Sequence, residues 1–85
     1  MEKELLKTEQ KMSRNEIAEK LVKISEGLKK GEMNLKSGTE ELKLEPGENP
    51  EFEIKVEEED DGEMSLELEI EWKKGEKEEK SVEIS

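Results

Sequence analysis

The sequence predicts an α+β domain: one amphipathic helix packed on a single antiparallel sheet of about five to six strands, its opposite face acidic and solvent-exposed. Three observations lead there. A capped stretch of helical period occupies residues 13–30, a period of two then runs through most of Met33 to Trp72, and Gly, Pro and Asp-Gly breaks cut that alternation into strand-length pieces. With 85 residues the chain has room for one core. The expected organisation is therefore a single domain, 1–85, with its core at about residues 4–72 and a charged C-terminal extension at 73–85.

Composition alone leans the other way. Only 28% of residues are apolar, 48% are charged and the formal net charge is −11, values that favour an unfolded polyelectrolyte. The apolar residues nevertheless keep to period-2 and period-3.6 positions, an order that a solvated chain has no reason to preserve. Cysteine, histidine and tyrosine are absent, which excludes disulfides and thiolate or imidazole metal sites. No apolar run approaches the roughly 18 residues of a membrane span, and "MEKELLKTEQ" lacks the basic-then-apolar order of a signal peptide. A cytoplasmic protein is expected, and its Lys and Glu abundance resembles thermophile usage.

The helix begins at Ser13. In "SRNE" the Ser13 hydroxyl can accept from the Glu16 amide while the Glu16 side chain returns to the Ser13 amide, a capping box with Met12 and Ile17 at the staple positions. Ile17, Leu21, Ile24 and Leu28 form the apolar stripe, widened by Ala18 and Val22. Lys29, Lys30 and Gly31 end it, two cations at the negative pole and a residue that tolerates positive φ.

Strands follow. Met33 and Leu35 alternate, then Leu42 and Leu44, around a II′ turn with Gly38 first; this register opposes Leu35 to Leu42 and Lys36 to Glu41. After the loop "EPGENPE", Phe52, Ile54 and Val56 alternate with acidic neighbours, and "EMSLELEIEW" repeats the pattern through Met64, Leu66, Leu68, Ile70 and Trp72. A two-residue Asp-Gly turn between them would set Val56 against Glu67. A three-residue loop of Asp60, Asp61 and left-handed Gly62 instead pairs Val56 with Leu66, Ile54 with Leu68 and Phe52 with Ile70. A matched hairpin across "EPGENPE" would place Lys43 opposite Glu53. The predicted inner face comprises Leu35, Leu42, Leu44 and these matched pairs, ending at Trp72. At the ends, "ELLKTEQKM" permits a first strand or a helix, and Val82 and Ile84 suit a last edge strand.

The segments "TEQKMSR", "NEIAEKLVKISEGLKKG" and "LELEIEW" together resemble the amphi-Trp domain family, small prokaryotic proteins named for an amphipathic strand that closes with tryptophan. The resemblance covers about residues 4–72. It implies a compact domain with a first strand ending at "TEQKMSR" and one helix on an antiparallel sheet, and it transfers no catalytic residues.

Chemistry must therefore come from the side chains. Nothing around Ser13, Ser25, Ser37, Ser65 or Ser81 resembles a nucleophile elbow, and a thin core offers no apolar cleft to raise a carboxylate pKa, so no enzyme is expected. Lys11, Arg14, Lys20, Lys23, Lys29 and Lys30 make the helical region locally basic, yet the overall charge is negative and stacking aromatics are lacking. Nucleic-acid and membrane partners are not expected.

The acidic surface carries the functional expectation. Glu57, Glu58, Glu59, Asp60, Asp61 and Glu63 crowd one hairpin tip, and Glu51, Glu53, Glu67, Glu69 and Glu71 extend the charge along the outer face. Dense oxygen ligands suit hard cations, Ca²⁺ before Mg²⁺ because Ca²⁺ accepts irregular coordination. The spacing echoes the first half of an EF-hand loop, but Leu68 stands where the bidentate Glu belongs. A charged tip also keeps a sheet soluble and blocks edge pairing without binding anything. The expected function is a non-enzymatic acidic binding module with a weak divalent-cation site at the tip and no required cofactor; the alternative is a protein-interaction domain that offers its acidic face to a basic partner protein. Trp72 reads as a core or sheet-end residue, or as a surface anchor for a partner.

Overall fold

The computed structural model describes residues 2–75, in two compact units, Met1–Glu45 and Pro46–Ser85.

In the first unit, α1 spans Arg14–Lys30 with Ser13 as its N-cap. The Ser13 Oγ accepts from the Glu16 amide at 3.1 Å and donates to Glu16 Oε1 at 3.2 Å, so the Glu16 side chain returns to the Ser13 hydroxyl instead of the expected backbone amide. At the other end Gly31 takes φ 86°. Its N–H reaches the carbonyls of Gly27 at 2.9 Å and Leu28 at 3.2 Å, while the Glu32 N–H donates to Gly27 O at 3.0 Å, a Schellman closure that satisfies the last carbonyls. Strands β1 (Met33–Ser37) and β2 (Glu40–Leu44) form an antiparallel hairpin in which Leu35 opposes Leu42 and Lys36 opposes Glu41, the register expected from the alternation. Gly38 has positive φ and no non-glycine residue among the described ones does, which fits a II′ turn with Gly first and excludes I′.

One residue sets how closely α1 meets β1. Gly27 is buried, and a Cβ built on it would lie 2.6 Å from the Met33 Cβ. Glycine inside a helix costs about 1 kcal/mol relative to alanine, and here it permits a helix-strand approach that no side chain would allow.

In the second unit, β3 (Glu51–Glu58) and β4 (Met64–Glu71) form an antiparallel ribbon. Val56 opposes Leu66, Ile54 opposes Leu68 and Phe52 opposes Ile70. The loop is Asp60, Asp61 and Gly62, closed by Glu59 N–H to Glu63 O and Gly62 N–H to Glu59 O, both 2.8 Å, with Gly62 at φ 87°. Matching the faces thus selected the right turn.

Three sequence expectations are corrected. The single sheet is instead two sheets of two strands each, β1–β2 and β3–β4. Pro46 and Pro50 flank the connection and remove backbone donors where a β2–β3 hairpin would need its first rungs, and Lys43, expected opposite Glu53, bridges Glu32 at 3.3 Å and Glu45 at 3.9 Å. Residues 2–12 form neither strand nor helix, so the first strand implied for "TEQKMSR" is absent among the described residues. The expected buried face is open: among the described residues no hydrophobic side chain is fully buried, Leu35, Leu42, Leu44, Ile70 and Trp72 are half-buried, and exposure on the ribbon reaches 58% at Phe52 and 66% at Leu66. On the helix stripe Ile17, Leu21 and Leu28 are exposed and Ile24 half-buried. The edge strand expected at Val82 and Ile84 lies outside the described residues.

Candidate functional site

The ribbon places its acidic residues by register. Because side chains alternate across a strand, Glu51 opposes Glu71, Glu53 opposes Glu69 and Lys55 opposes Glu67 on the polar face. Two like-charge rungs therefore stack beside one favourable one. The electrostatic consequence falls on Glu69, whose carboxyl is held above its ordinary pKa chiefly by the charge of Glu71, next by Glu53, then by desolvation, a hydrogen bond with Glu71 and the charge of Glu51. Lys55 moves upward as well, because Glu57 accepts from its ammonium at 2.7 Å and Glu67 lies 4.0 Å away.

At the tip, backbone geometry gathers a smaller group. The Glu59–Glu63 bond closes the loop, and the Glu63 N–H donates to Asp61 Oδ1 at 2.9 Å, an Asx-type turn that holds the Asp61 side chain over the loop. As a result Glu59, Asp61 and Glu63 each offer a carboxylate oxygen, all within 4.8 Å of one another and all exposed. Of the six tip carboxylates singled out by sequence, these three converge. Glu57 is engaged with Lys55 two residues away on the same strand face, Glu58 pairs with Met64 on the apolar face, and Asp60 opens the loop outside the group. The spacing of Lys55 and Glu57 could have separated Glu57 from the cluster in advance. The extended acidic row, Glu51, Glu53, Glu67, Glu69 and Glu71, lies along the ribbon below the tip and contributes no oxygen to this group.

Three oxygens on an exposed tip can supply part of the shell of Ca²⁺, which takes six to eight oxygen ligands, with water completing it; Mg²⁺ demands a stricter octahedron. Trp72 is half-buried and stands one residue beyond the end of β4, a sheet-end position. Among the described residues no helix is long and apolar enough to cross a membrane.

A family model described as Amphi-Trp domain matches residues 1–85. That span takes in residues 73–85, which the sequence resemblance had left outside the shared core. No curated protein and no solved structure matches the chain.

Proposed function

The chain belongs to the Amphi-Trp domain family, and from that premise we propose that it is a non-enzymatic acidic binding module holding a divalent cation weakly at the β3–β4 tip, Ca²⁺ before Mg²⁺. The observation that carries this reading is the convergence of Glu59, Asp61 and Glu63 within 4.8 Å. Three exposed carboxylates without a bidentate anchor suit a weak affinity. The protein requires no cofactor on this reading, and its setting is the cytoplasm, in keeping with a cysteine-free composition.

An amide-resolved NMR titration with Ca²⁺ at 0.15 M salt tests it. Saturable shifts centred on residues 59–63 are expected, and Asp61→Asn should weaken them. Shifts that vanish on adding NaCl, or that spread evenly along the ribbon, would reduce the tip to diffuse counterion attraction.

A second reading rests on a different observation, the rungs Glu51–Glu71 and Glu53–Glu69. Repulsion along that row would be relieved by a basic partner protein lying against it. A Lys-rich peptide should then shift the amides of these four residues in the presence of chelator, and indifference of the row to such a peptide at moderate salt would sink this reading.

A further inference from the structure

We infer that the groove between α1 and β1 binds a small monoanionic amphiphile, a hydrocarbon chain ending in a carboxylate. The groove lies wholly within the first unit and encloses about 670 Å³, inside the range of about 300–1,000 Å³ usual for small-ligand sites. Part of its lining is apolar. Leu6, Ile24, Met33 and Leu35 line it, all four half-buried, and Gly27, also in the lining, lets the helix backbone approach Met33 there.

Another part is cationic. Lys20, Lys23 and Lys30 share one face of α1 by their spacings of three and seven, and Lys36 of β1 joins them at the groove. None of these four lysines makes an ion pair among the described residues, although the chain carries 26 acidic residues against 15 basic ones. The groove's own acids are Glu26 and Glu32, and Glu32 is taken by Lys43 at 3.3 Å. A lining that joins apolar side chains to lysines complements a ligand with an alkyl body and an anionic head, and the lysine stems add apolar contact while their ammonium groups stay in water.

Charge count selects the size of the anion. Long-range repulsion from a molecule of net charge −11 grows with every negative charge the ligand carries, and a screening length of about 8 Å at physiological salt removes only part of it. A single carboxylate meets the local lysines with the least of that repulsion. An acidic peptide meets far more.

Dodecanoate, kept below its micelle concentration and titrated into the full chain by NMR, is the test. Saturable shifts at the amides of Ile24, Gly27, Met33 and Leu35 are expected. Dodecyltrimethylammonium, with the same tail and the opposite charge, should bind at least about tenfold more weakly. The combined replacement Lys20→Gln, Lys23→Gln and Lys30→Gln, which keeps good helix formers at exposed positions, should lower dodecanoate affinity about tenfold with an unchanged circular dichroism spectrum. Equal binding of the two amphiphiles, shifts centred on the exposed ribbon from Phe52 to Ile70, or no saturable response would overturn the site. Tighter binding by a peptide of alternating Glu and Leu would overturn the choice of occupant.

Discussion

Residues 1–45 carry ten Lys and Arg against ten Asp and Glu, whereas residues 46–85 carry five against sixteen. The whole net charge of the chain thus resides in its second part. Burial differs in parallel: along β1 residues alternate half-buried and exposed, while every residue of β3 is exposed. Both strands have the same period-two pattern. The difference is that β1 has a helix against it, brought close at Gly27, and the described residues of the second unit consist of a ribbon and its loops. Alternation specifies which side chains share a face; only a second layer removes that face from water.

Disturbing the close approach should have the largest effect. Gly27→Val puts side-chain atoms where Cβ already meets Met33 at 2.6 Å, and should destabilise the first unit by about 2 kcal/mol, the usual scale of overpacking. Hydrogen exchange at the amides of α1 and β1 reads it, and unaltered protection would mean that the helix is not what shelters β1. Next in size is the turn of the ribbon. Gly62 sits at φ 87°, where a residue with a Cβ costs about 1–2 kcal/mol, so Gly62→Val should speed exchange of the Glu59 and Gly62 amides and scatter the three carboxylates that converge there.

The smallest effect is electrostatic and has an unusual sign for a carboxylate. The ionised form of Glu69 is disfavoured in the folded ribbon, so its folded pKa lies above its unfolded one. The penalty is full above the folded pKa, shrinks as pH falls through it and is gone below the ordinary value of 4.5. Lowering pH from 7 toward 4.5 should therefore tighten the β3–β4 ladder, seen as slower exchange after correction for intrinsic rates. In Glu69→Gln the gain should already be present at pH 7, with a weaker dependence on pH and salt. A ribbon that loosened on acidification in the wild-type chain and in this variant alike would show that other carboxylates govern it.

Much of the local structure was legible because its determinants lie within a few residues. Ser13 and Glu16 announce the helix start, Lys29 to Gly31 its end, and Gly38 and Gly62 their turns. The requirement that Val56 meet Leu66 instead of Glu67 was enough to choose a three-residue loop. Gly27 is not legible in the same way, because a glycine inside a helical pattern has no local signature for the strand it will touch. The six tip carboxylates looked equivalent in the sequence, and their sorting into Glu59, Asp61 and Glu63 depended on a loop closure and on Lys55 claiming Glu57.

The sequence by itself thus determined α1 with its caps, the strands β1 to β4, the register of both hairpins and the sign of each face, since hydrogen-bonded turns and side-chain periodicity are set by neighbours along the chain. Tertiary structure decided that the strands form two sheets instead of one, which apolar faces are sheltered, and which oxygens and lysines gather at a point. Those outcomes rest on how turns and neighbouring elements close in space, even where the residues are as near in sequence as Gly27 and Met33 or Glu59 and Glu63. They depend on backbone donors that Pro46 and Pro50 do not supply and on the space left by Gly27, and no periodic pattern encodes either.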